Sequence, residues 1–277
     1  MLLLVLVVPL TIGVAYSFQY LVVYDPFNSG YVGLANYRAL LTDQTFRKVL
    51  VNTLVWTFGS LALQFPLGFG LALLLKRPFT GRGIYQAIAF LPWAVPAFLS
   101  GLIWSWLFNP TVSPLPQLLA SIGLLSGPYN ILSDPNLALW GPIIANVWFG
   151  IPFFAITMLA GLQAIPDSLY EAAEIDGAGG INQFFYVTLP FLAPTIAITL
   201  MLRTIWIANF PDLIFVMTGG GPANATQTVA TYIFTLAYKK LDFGYASAVA
   251  TALLIALVLY SIVILRARRR WVLDVAA

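Results

Sequence analysis

Residues 171–190, EAAEIDGAGGINQFFYVTLP, are a polar and turn-rich link between two long apolar runs. The runs cover residues 139–162 and 191–217, and each exceeds the roughly 20 residues that a helix needs to cross a membrane. The link is therefore presented to one aqueous compartment. It gathers several acidic side chains into one short loop of an otherwise apolar chain, which predicts a surface offered to a partner protein.

The composition identifies lipid as the main solvent of this chain. Of its 277 residues, 60% are hydrophobic and 8% are charged, whereas a soluble domain carries about 25% charged residues. The chain has no cysteine and no histidine, which removes thiolate chemistry, the commonest general base and the commonest metal ligand. The basic residues form no stripe interleaved with aromatic residues, so nucleic-acid binding is not expected.

Six apolar runs are long enough to be candidate membrane spans. Because they do not alternate strictly between apolar and polar residues, they predict helices, and we expect an all-α membrane protein of about six transmembrane helices. We expect one domain over residues 1–277, with its core over 50–265. The first run lacks a basic start and a cleavage site, which favours a retained span over a removed signal peptide. The runs cover residues 2–23, 50–75, 84–108, 139–162, 191–217 and 245–265.

The distribution of basic residues predicts the orientation in the membrane, since cytoplasmic loops are rich in lysine and arginine. Lys76, Arg77 and Arg82 share one side with the loop 164–190 and with the arginine cluster at 266–270. The other side carries five basic residues, but they are more dispersed. The dense C-terminal cluster therefore places both termini and the loop 164–190 in the cytoplasm.

The loop itself has the signals of a short helix–turn–helix. Ser168 and Glu171 fit a capping box that would start the first helix, and Gly177 would stop it. Ala172 and Ala173 give that helix a slim face on which another surface can approach closely. A second short helix is expected over 182–188, ending at Pro190. On chemistry alone, a loop capped only for its own stability explains these signals equally well.

Candidate solute contacts cluster in the fifth run, because ionisable residues within spans are rare and are often functional. Arg203, Trp206, Asn209 and Phe210 follow the spacing i, i+3, i+6 and i+7, so they lie roughly along one helical face. Amide and indole groups suit the hydroxyls and C–H faces of carbohydrates. Asp212 in the same run is a further candidate, although Arg203 and Asp212 could equally serve packing or anchoring at the membrane surface.

The fourth run supplies three more residues that are expected to face the same path, Asn146, Trp148 and Phe149. For Trp148 a packing role in the core or at the membrane interface is an equally good interpretation.

The loop resembles the cytoplasmic signature of the membrane subunits of binding-protein-dependent ATP-binding-cassette importers. That signature is E-A-A, three residues, G, nine residues, a β-branched residue, one residue and L-P, and it is matched from Glu171 to Pro190 with Val187 where isoleucine is common. Further motifs resemble the sugar-permease branch of maltose and glycerol-phosphate type, so the resemblance covers nearly the whole chain. Pro211 departs from that branch, which more often has an aromatic residue there. The further motifs lie at residues 33–37, 191–196, 210–222 and 243–248.

The resemblance implies the type I importer fold, in which two short cytoplasmic helices dock on a separate ATPase dimer. The chain has no G-x-x-x-x-G-K-[ST] motif, so we expect no enzyme and no cofactor here, with ATP and magnesium used by the partner. The other implied partners are a second related permease, an extracytoplasmic solute-binding protein and a carbohydrate. A heterodimer of permeases is expected, and a homodimer stays open. The residues implied in coupling are Glu171, Ala172, Ala173, Asp176, Gly177, Ala178, Leu189 and Pro190.

Two alternatives remain at this point. A secondary transporter that works alone usually buries several acids in its spans and often shows inverted halves, whereas this chain has essentially one such acid and no detectable halves. An importer permease for glycerol phosphate, a peptide or an amino acid also stays open, because the loop signature is shared more widely than the sugar-branch motifs. The sequence does not choose among individual sugars.

Overall fold

Long apolar helices make up most of the molecule, as expected where each backbone segment must satisfy its own hydrogen bonds in lipid. The computed structural model describes residues 2–124 and 129–275. Within these ranges four helical segments are long and apolar enough to span a membrane, and a bent helix pair adds a fifth. The prediction of an all-α membrane fold is confirmed. The four segments are Gln44–Lys76, Trp140–Gln163, Gly180–Met217 and Phe243–Ala267.

The order of elements follows the apolar runs and the polar links between them. Strands β1 (Gln19–Tyr20) and β2 (Gly30–Tyr31) form a small antiparallel hairpin in which Gln19 is opposite Tyr31. Two π-helical turns, Phe184–Thr188 and Thr235–Lys239, lie within the helical segments. The helices are α1 Leu2–Tyr16, α2 Ala35–Thr42, α3 Gln44–Lys76, α4 Arg82–Ala94, α5 Ala97–Leu107, α6 Pro114–Ser121, α7 Trp140–Gln163, α8 Asp167–Ile175, α9 Gly180–Gln183, α10 Leu189–Ala208, α11 Asp212–Met217, α12 Val229–Phe234 and α13 Phe243–Val275.

The first predicted span ends earlier than expected. Helix α1 covers Leu2–Tyr16. It ends because the chain turns into β1, and Ser17 fixes that turn by hydrogen-bonding the Val14 carbonyl at 2.6 Å and the Tyr37 hydroxyl at 2.6 Å. The prediction of a full span over residues 2–23 is therefore wrong in its bounds.

The third predicted span, residues 84–108, is broken into α4 and α5, whose axes differ by 95°. The break lies at Val95 and Pro96, both of which have extended backbone conformations. A residue before proline is disfavoured in the helical region, and proline itself lacks the N–H that would continue the ladder. The run predicted as one span is therefore a sharply bent pair of helices, broken at one of the prolines within it.

Helices α3 and α7 run parallel through the centre of the bundle and are in close contact. A methyl group at Gly68 would lie 2.5 Å from Phe154 Cβ, so the two backbones approach as only a glycine permits. Helix α10 runs antiparallel to both and is joined to α3 by Trp56, a fully buried residue whose indole N–H donates to the Ile207 carbonyl at 2.8 Å. These three helices form the frame of the inner site.

Two ends of the bundle are distinguished by what they carry. The hairpin end holds β1, β2 and the first residues of α3 and α13, joined by Asp43, which accepts hydrogen bonds from Tyr232 and Tyr245 at 2.8 and 2.9 Å. The loop end holds α8, α9 and the last residues of α3 and α7. Since α13 starts at the hairpin end and packs against α1 and α10, it runs towards the loop end.

Candidate functional site

The loop end presents α8 as a short, exposed helix. It begins at Asp167, directly after the extended Pro166, and no side chain caps it. The predicted capping box is therefore wrong, because Ser168 already lies inside the first turn. The helix ends as predicted at Gly177, whose φ of 80° is the left-handed conformation that favours glycine. There the Ala178 N–H donates to the Ala173 carbonyl at 2.8 Å.

The second limb of the loop is not a separate helix. Residues Gly180–Gln183 form α9, which continues through the π-helical turn Phe184–Thr188 directly into α10. In that wider register the Leu189 N–H bonds to the Phe184 carbonyl. We attribute the absence of a break at Pro190 to this register, since a proline in the first turn of α10 loses few hydrogen bonds. The prediction of a helix over 182–188 that ends at Pro190 is thus wrong in its end.

The surface of α8 and α9 is exposed and mixes acidic with apolar groups. Among the predicted coupling residues, Ala173, Ala178 and Leu189 are half-buried, and the rest are exposed. Two large apolar side chains that sequence reasoning missed are also exposed, Ile175 at 87% and Ile181 at 75%. Their position next to the turn glycines was the available signal. Exposed large apolar side chains among carboxylates are typical of a docking surface. The exposed coupling residues are Glu171, Ala172, Asp176, Gly177 and Pro190.

The inner site is built around Arg203, a cation that is only 4% exposed. Its Nε donates to Gln64 Oε1 at 2.9 Å and its Nη2 donates to Asn146 Oδ1 at 3.3 Å. The guanidinium also lies over the Phe153 ring at 5.8 Å. A charge taken out of water costs free energy unless hydrogen bonds satisfy it, so this network holds Arg203 in place.

The network ties together α3, α7 and α10. Gln64 donates to the Asn146 carbonyl at 2.7 Å, and the Asn146 amide donates to Ser60 Oγ at 3.0 Å. Gly150 makes room for it, because a methyl group there would lie 2.3 Å from Gln64 Cδ and 2.5 Å from Arg203 Nη2. Gln64 and Ser60 were not predicted, since an isolated polar residue in an apolar run does not reveal which helix it faces.

A cavity of about 400 Å³ has Arg203 in its wall. Four residues predicted from the fifth run line this cavity, so their spacing does bring them together. They are Arg203, Trp206, Asn209 and Phe210. Asn209 and Phe210 line the cavity from just beyond α10, which ends at Ala208. Phe149 stacks on Phe210 with ring centroids 5.7 Å apart. The lining residues are Trp93, Phe149, Arg203, Ile205, Trp206, Asn209 and Phe210.

Three of the remaining candidates lie outside that cavity. Asn146 stands behind Arg203 as a hydrogen-bond partner and is fully buried. Trp148 packs instead against Trp104 with ring centroids 6.1 Å apart, which agrees with a packing role. Asp212 is exposed at the start of α11. Phe149, which the fourth run also offered, does line the cavity, whereas sequence reasoning missed Trp93, which lies in the last turn of α4 next to the bend.

The described part of the chain contains no group of three acidic side chains that could hold a metal ion. Hydrogen-bonding and aromatic groups make up most of the lining of the inner cavity.

Comparisons with known proteins agree on one family. The family model for the binding-protein-dependent transport system inner membrane component matches residues 64–272. The trehalose/maltose transport system permease protein MalF of Thermococcus litoralis is 38% identical over 239 residues, covering 86% of this chain and 80% of that protein. The sulfoquinovosyl glycerol transport system permease protein SmoG of Agrobacterium fabrum is 36% identical over 250 residues, covering 90% and 80%.

The fold has a close structural match. A chain of a bacterial ABC transporter involved in the import of the acidic polysaccharide alginate superposes with a TM-score of 0.82. The match covers 97% of this chain and 91% of that chain at 24% sequence identity. At this identity the likeness supports the fold alone.

Proposed function

Because the chain belongs to the family of inner membrane components of binding-protein-dependent transport systems, we propose that it is the permease subunit of an ATP-driven carbohydrate importer. In this proposal the solute crosses the membrane by alternating access, with this chain forming part of the pathway. The main observation behind the proposal is that one helical segment joins the exposed loop to the inner cavity. The segment Gly180–Met217 carries the exposed second limb of the loop at one end and the cavity at the other.

The exposed surface of α8 and α9 supports docking of a separate ATPase dimer. The helical limbs of this surface would transmit a push that a flexible loop would absorb. The exposed side chains of Ile175 and Ile181 offer apolar area near the carboxylates. Glu171, Ala172 and Gly177 would form the centre of this contact. ATP and magnesium would be bound by the partner, since the chain lacks a phosphate-binding motif.

The cavity supports a carbohydrate as the solute. Its volume of about 400 Å³ falls within the range of roughly 300–1,000 Å³ seen for ligand pockets. Trp93 and Trp206 offer indole faces for the C–H faces of a sugar ring, and Asn209 offers an amide for its hydroxyls. Relatives named for trehalose, maltose and multiple sugars support the same class.

A polyol phosphate is the second candidate solute. Arg203 lines the cavity, and guanidinium groups bind phosphate well. The sn-glycerol-3-phosphate transport system permease protein UgpA of Agrobacterium fabrum is 34% identical over 233 residues.

The same proposal assigns partners and orientation. An extracytoplasmic binding protein would deliver the solute at the hairpin end, and a second related permease would complete the pathway. A binding-protein partner is supported by a second structural match, a bacterial alginate ABC transporter in complex with an alginate-bound periplasmic protein. The loop end would face the cytoplasm together with the arginines at 266–270, since cytoplasmic segments are rich in basic residues.

A panel experiment tests the solute class. The complex that co-purifies with this chain is reconstituted in liposomes, and ATP hydrolysis is measured with its binding protein loaded in turn with trehalose, maltose, glycerol phosphate, a peptide or an amino acid. We expect stimulation by a sugar. Stimulation by glycerol phosphate alone would favour the second candidate, and a complex without any ATPase would contradict the proposal.

A further inference from the structure

Tyr170 connects α8 to the bundle through two side-chain contacts. Its hydroxyl and the hydroxyl of Thr188 are 2.9 Å apart, and the ammonium of Lys76 lies 4.0 Å from the centre of its ring. Lys76 is the last residue of α3, and Thr188 is the last residue of the π-helical turn before α10. One side chain therefore joins the first limb of the loop to two of the three helices that frame the inner site.

The rest of α8 makes few such contacts. Most of its residues are exposed, and Ala173 is half-buried. Among the described residues, the other side-chain hydrogen bond of α8 joins Glu174 to Gln183 at 3.5 Å, within the loop itself. Tyr170 also packs against the buried cluster of Leu162 and Leu192 at the loop end.

A cavity of about 640 Å³ lies between α8 and the end of α3, with Lys76, Tyr170, Phe184 and Thr188 on its wall. Where this space separates the two elements, α8 is not supported by close packing. A displacement of α8 reaches the bundle along the backbone at both ends of the helix and, across this space, through the contacts of Tyr170.

We propose that Tyr170 is a positioning residue that transmits movement of α8 to α3 and α10. The proposal rests on the proposed function, in which an ATPase moves α8. Through Lys76 the movement reaches the end of α3, and through Thr188 it reaches the π-helical turn, a kind of feature often found at functional sites. Because α10 continues from that turn, a pull at Thr188 shifts the helix whose far part carries Arg203 and the cavity.

The test separates coupling from assembly. Tyr170→Phe keeps the ring over Lys76 but removes the hydroxyl, Thr188→Val removes its partner, and Lys76→Gln removes the cation. Each variant is reconstituted with its ATPase and binding protein, and solute transported per ATP hydrolysed is measured beside complex assembly. Tyr186→Phe is the matched control, because Tyr186 is 80% exposed on the same loop.

We expect Tyr170→Phe and Thr188→Val each to lower transport per ATP on the order of fivefold, with assembly and basal hydrolysis retained. The double variant should be no worse than either single one, because both remove the same contact. Tyr186→Phe should leave the ratio unchanged. An unchanged ratio in Tyr170→Phe, additive losses in the double variant, or failure of all three contact variants to assemble would overturn the proposal. Failure of the wild-type complex to transport on ATP would instead count against the proposed function.

Discussion

At the scale of single residues, the inner site depends on a glycine as much as on its charged group. Arg203 could be singled out from the sequence because a charge within an apolar run is unusual. Gln64 and Ser60 could not, because they join this network only through the parallel packing of α3 and α7, where Gln64 accepts from Arg203 and Ser60 accepts from Asn146. Gly150 was equally hidden, since its role is to leave space that Gln64 and Arg203 occupy.

Gly150→Ala should destabilise the protein. The added methyl group would lie 2.3 Å from Gln64 Cδ, so the buried network must break or shift, at a cost of about 1–3 kcal/mol. We expect a lower midpoint of thermal unfolding in detergent. Gly70→Ala on α3 is the control, because no atom lies within 4 Å of its added methyl group. An equal midpoint for Gly150→Ala and Gly70→Ala would contradict this account of the network.

Trp206→Ala and Asn209→Ala should weaken solute handling without loss of folding. Both residues line the cavity, so removal of an indole face or an amide should raise the KM for transport roughly tenfold, as expected for the loss of a well-placed binding group. Uptake at graded solute concentrations measures this. Trp106→Ala is the matched control, since Trp106 is exposed on α5 and is not in the cavity wall. Full transport with unchanged solute preference in both variants would remove these residues from the pathway.

At the scale of elements, apolar length predicted α7 almost to the residue, as 139–162 against Trp140–Gln163. It failed where a proline or a turn ended a helix inside an apolar run. The run over residues 2–23 thus contains α1 and strand β1 of the hairpin. The run over residues 84–108 contains two helices whose axes differ by 95°. Hydropathy reports which residues avoid water, whereas a break depends on the backbone conformation at a few positions such as Val95 and Pro96.

The turn between α8 and α9 makes its own prediction. Gly177 has a φ of 80°, a conformation that costs a residue with a Cβ about 1–2 kcal/mol. Gly177→Ala should therefore misplace the turn and weaken co-purification of the ATPase several-fold. Gly179→Ala should not, because Gly179 has a φ of −69° and open space around it. Equal co-purification of the ATPase with Gly177→Ala and Gly179→Ala would show that the geometry of this turn has no part in docking.

At the scale of the whole molecule, Asp43 links three helices at the hairpin end and makes stability depend on pH. It accepts at its N-cap position from the Thr45 N–H at 2.8 Å and also receives the hydroxyls of Tyr232 and Tyr245. Burial opposes ionisation of Asp43, but these hydrogen bonds outweigh it and hold its pKa below the ordinary value of about 3.9. A carboxyl with a depressed pKa stabilises the folded state above its unfolded pKa, and that contribution is lost as pH falls through the folded pKa.

We therefore expect the thermal midpoint of the wild type to fall as pH drops below about 4, and part of that fall to be absent in Asp43→Asn. The variant should also be less stable at neutral pH. Asp212→Asn is the control, since Asp212 is exposed at the start of α11. Identical pH profiles for the wild type and Asp43→Asn would show that the link at Asp43 contributes nothing to stability.

The proposed function requires ATP-driven passage of a sugar through a pathway that this chain helps to form. Accumulation of labelled sugar inside liposomes, with ATP enclosed and the loaded binding protein outside, measures this directly. We expect uptake that requires ATP, the binding protein and the co-purified ATPase together. Sugar uptake by this chain alone, driven by an ion gradient and indifferent to ATP, would contradict it.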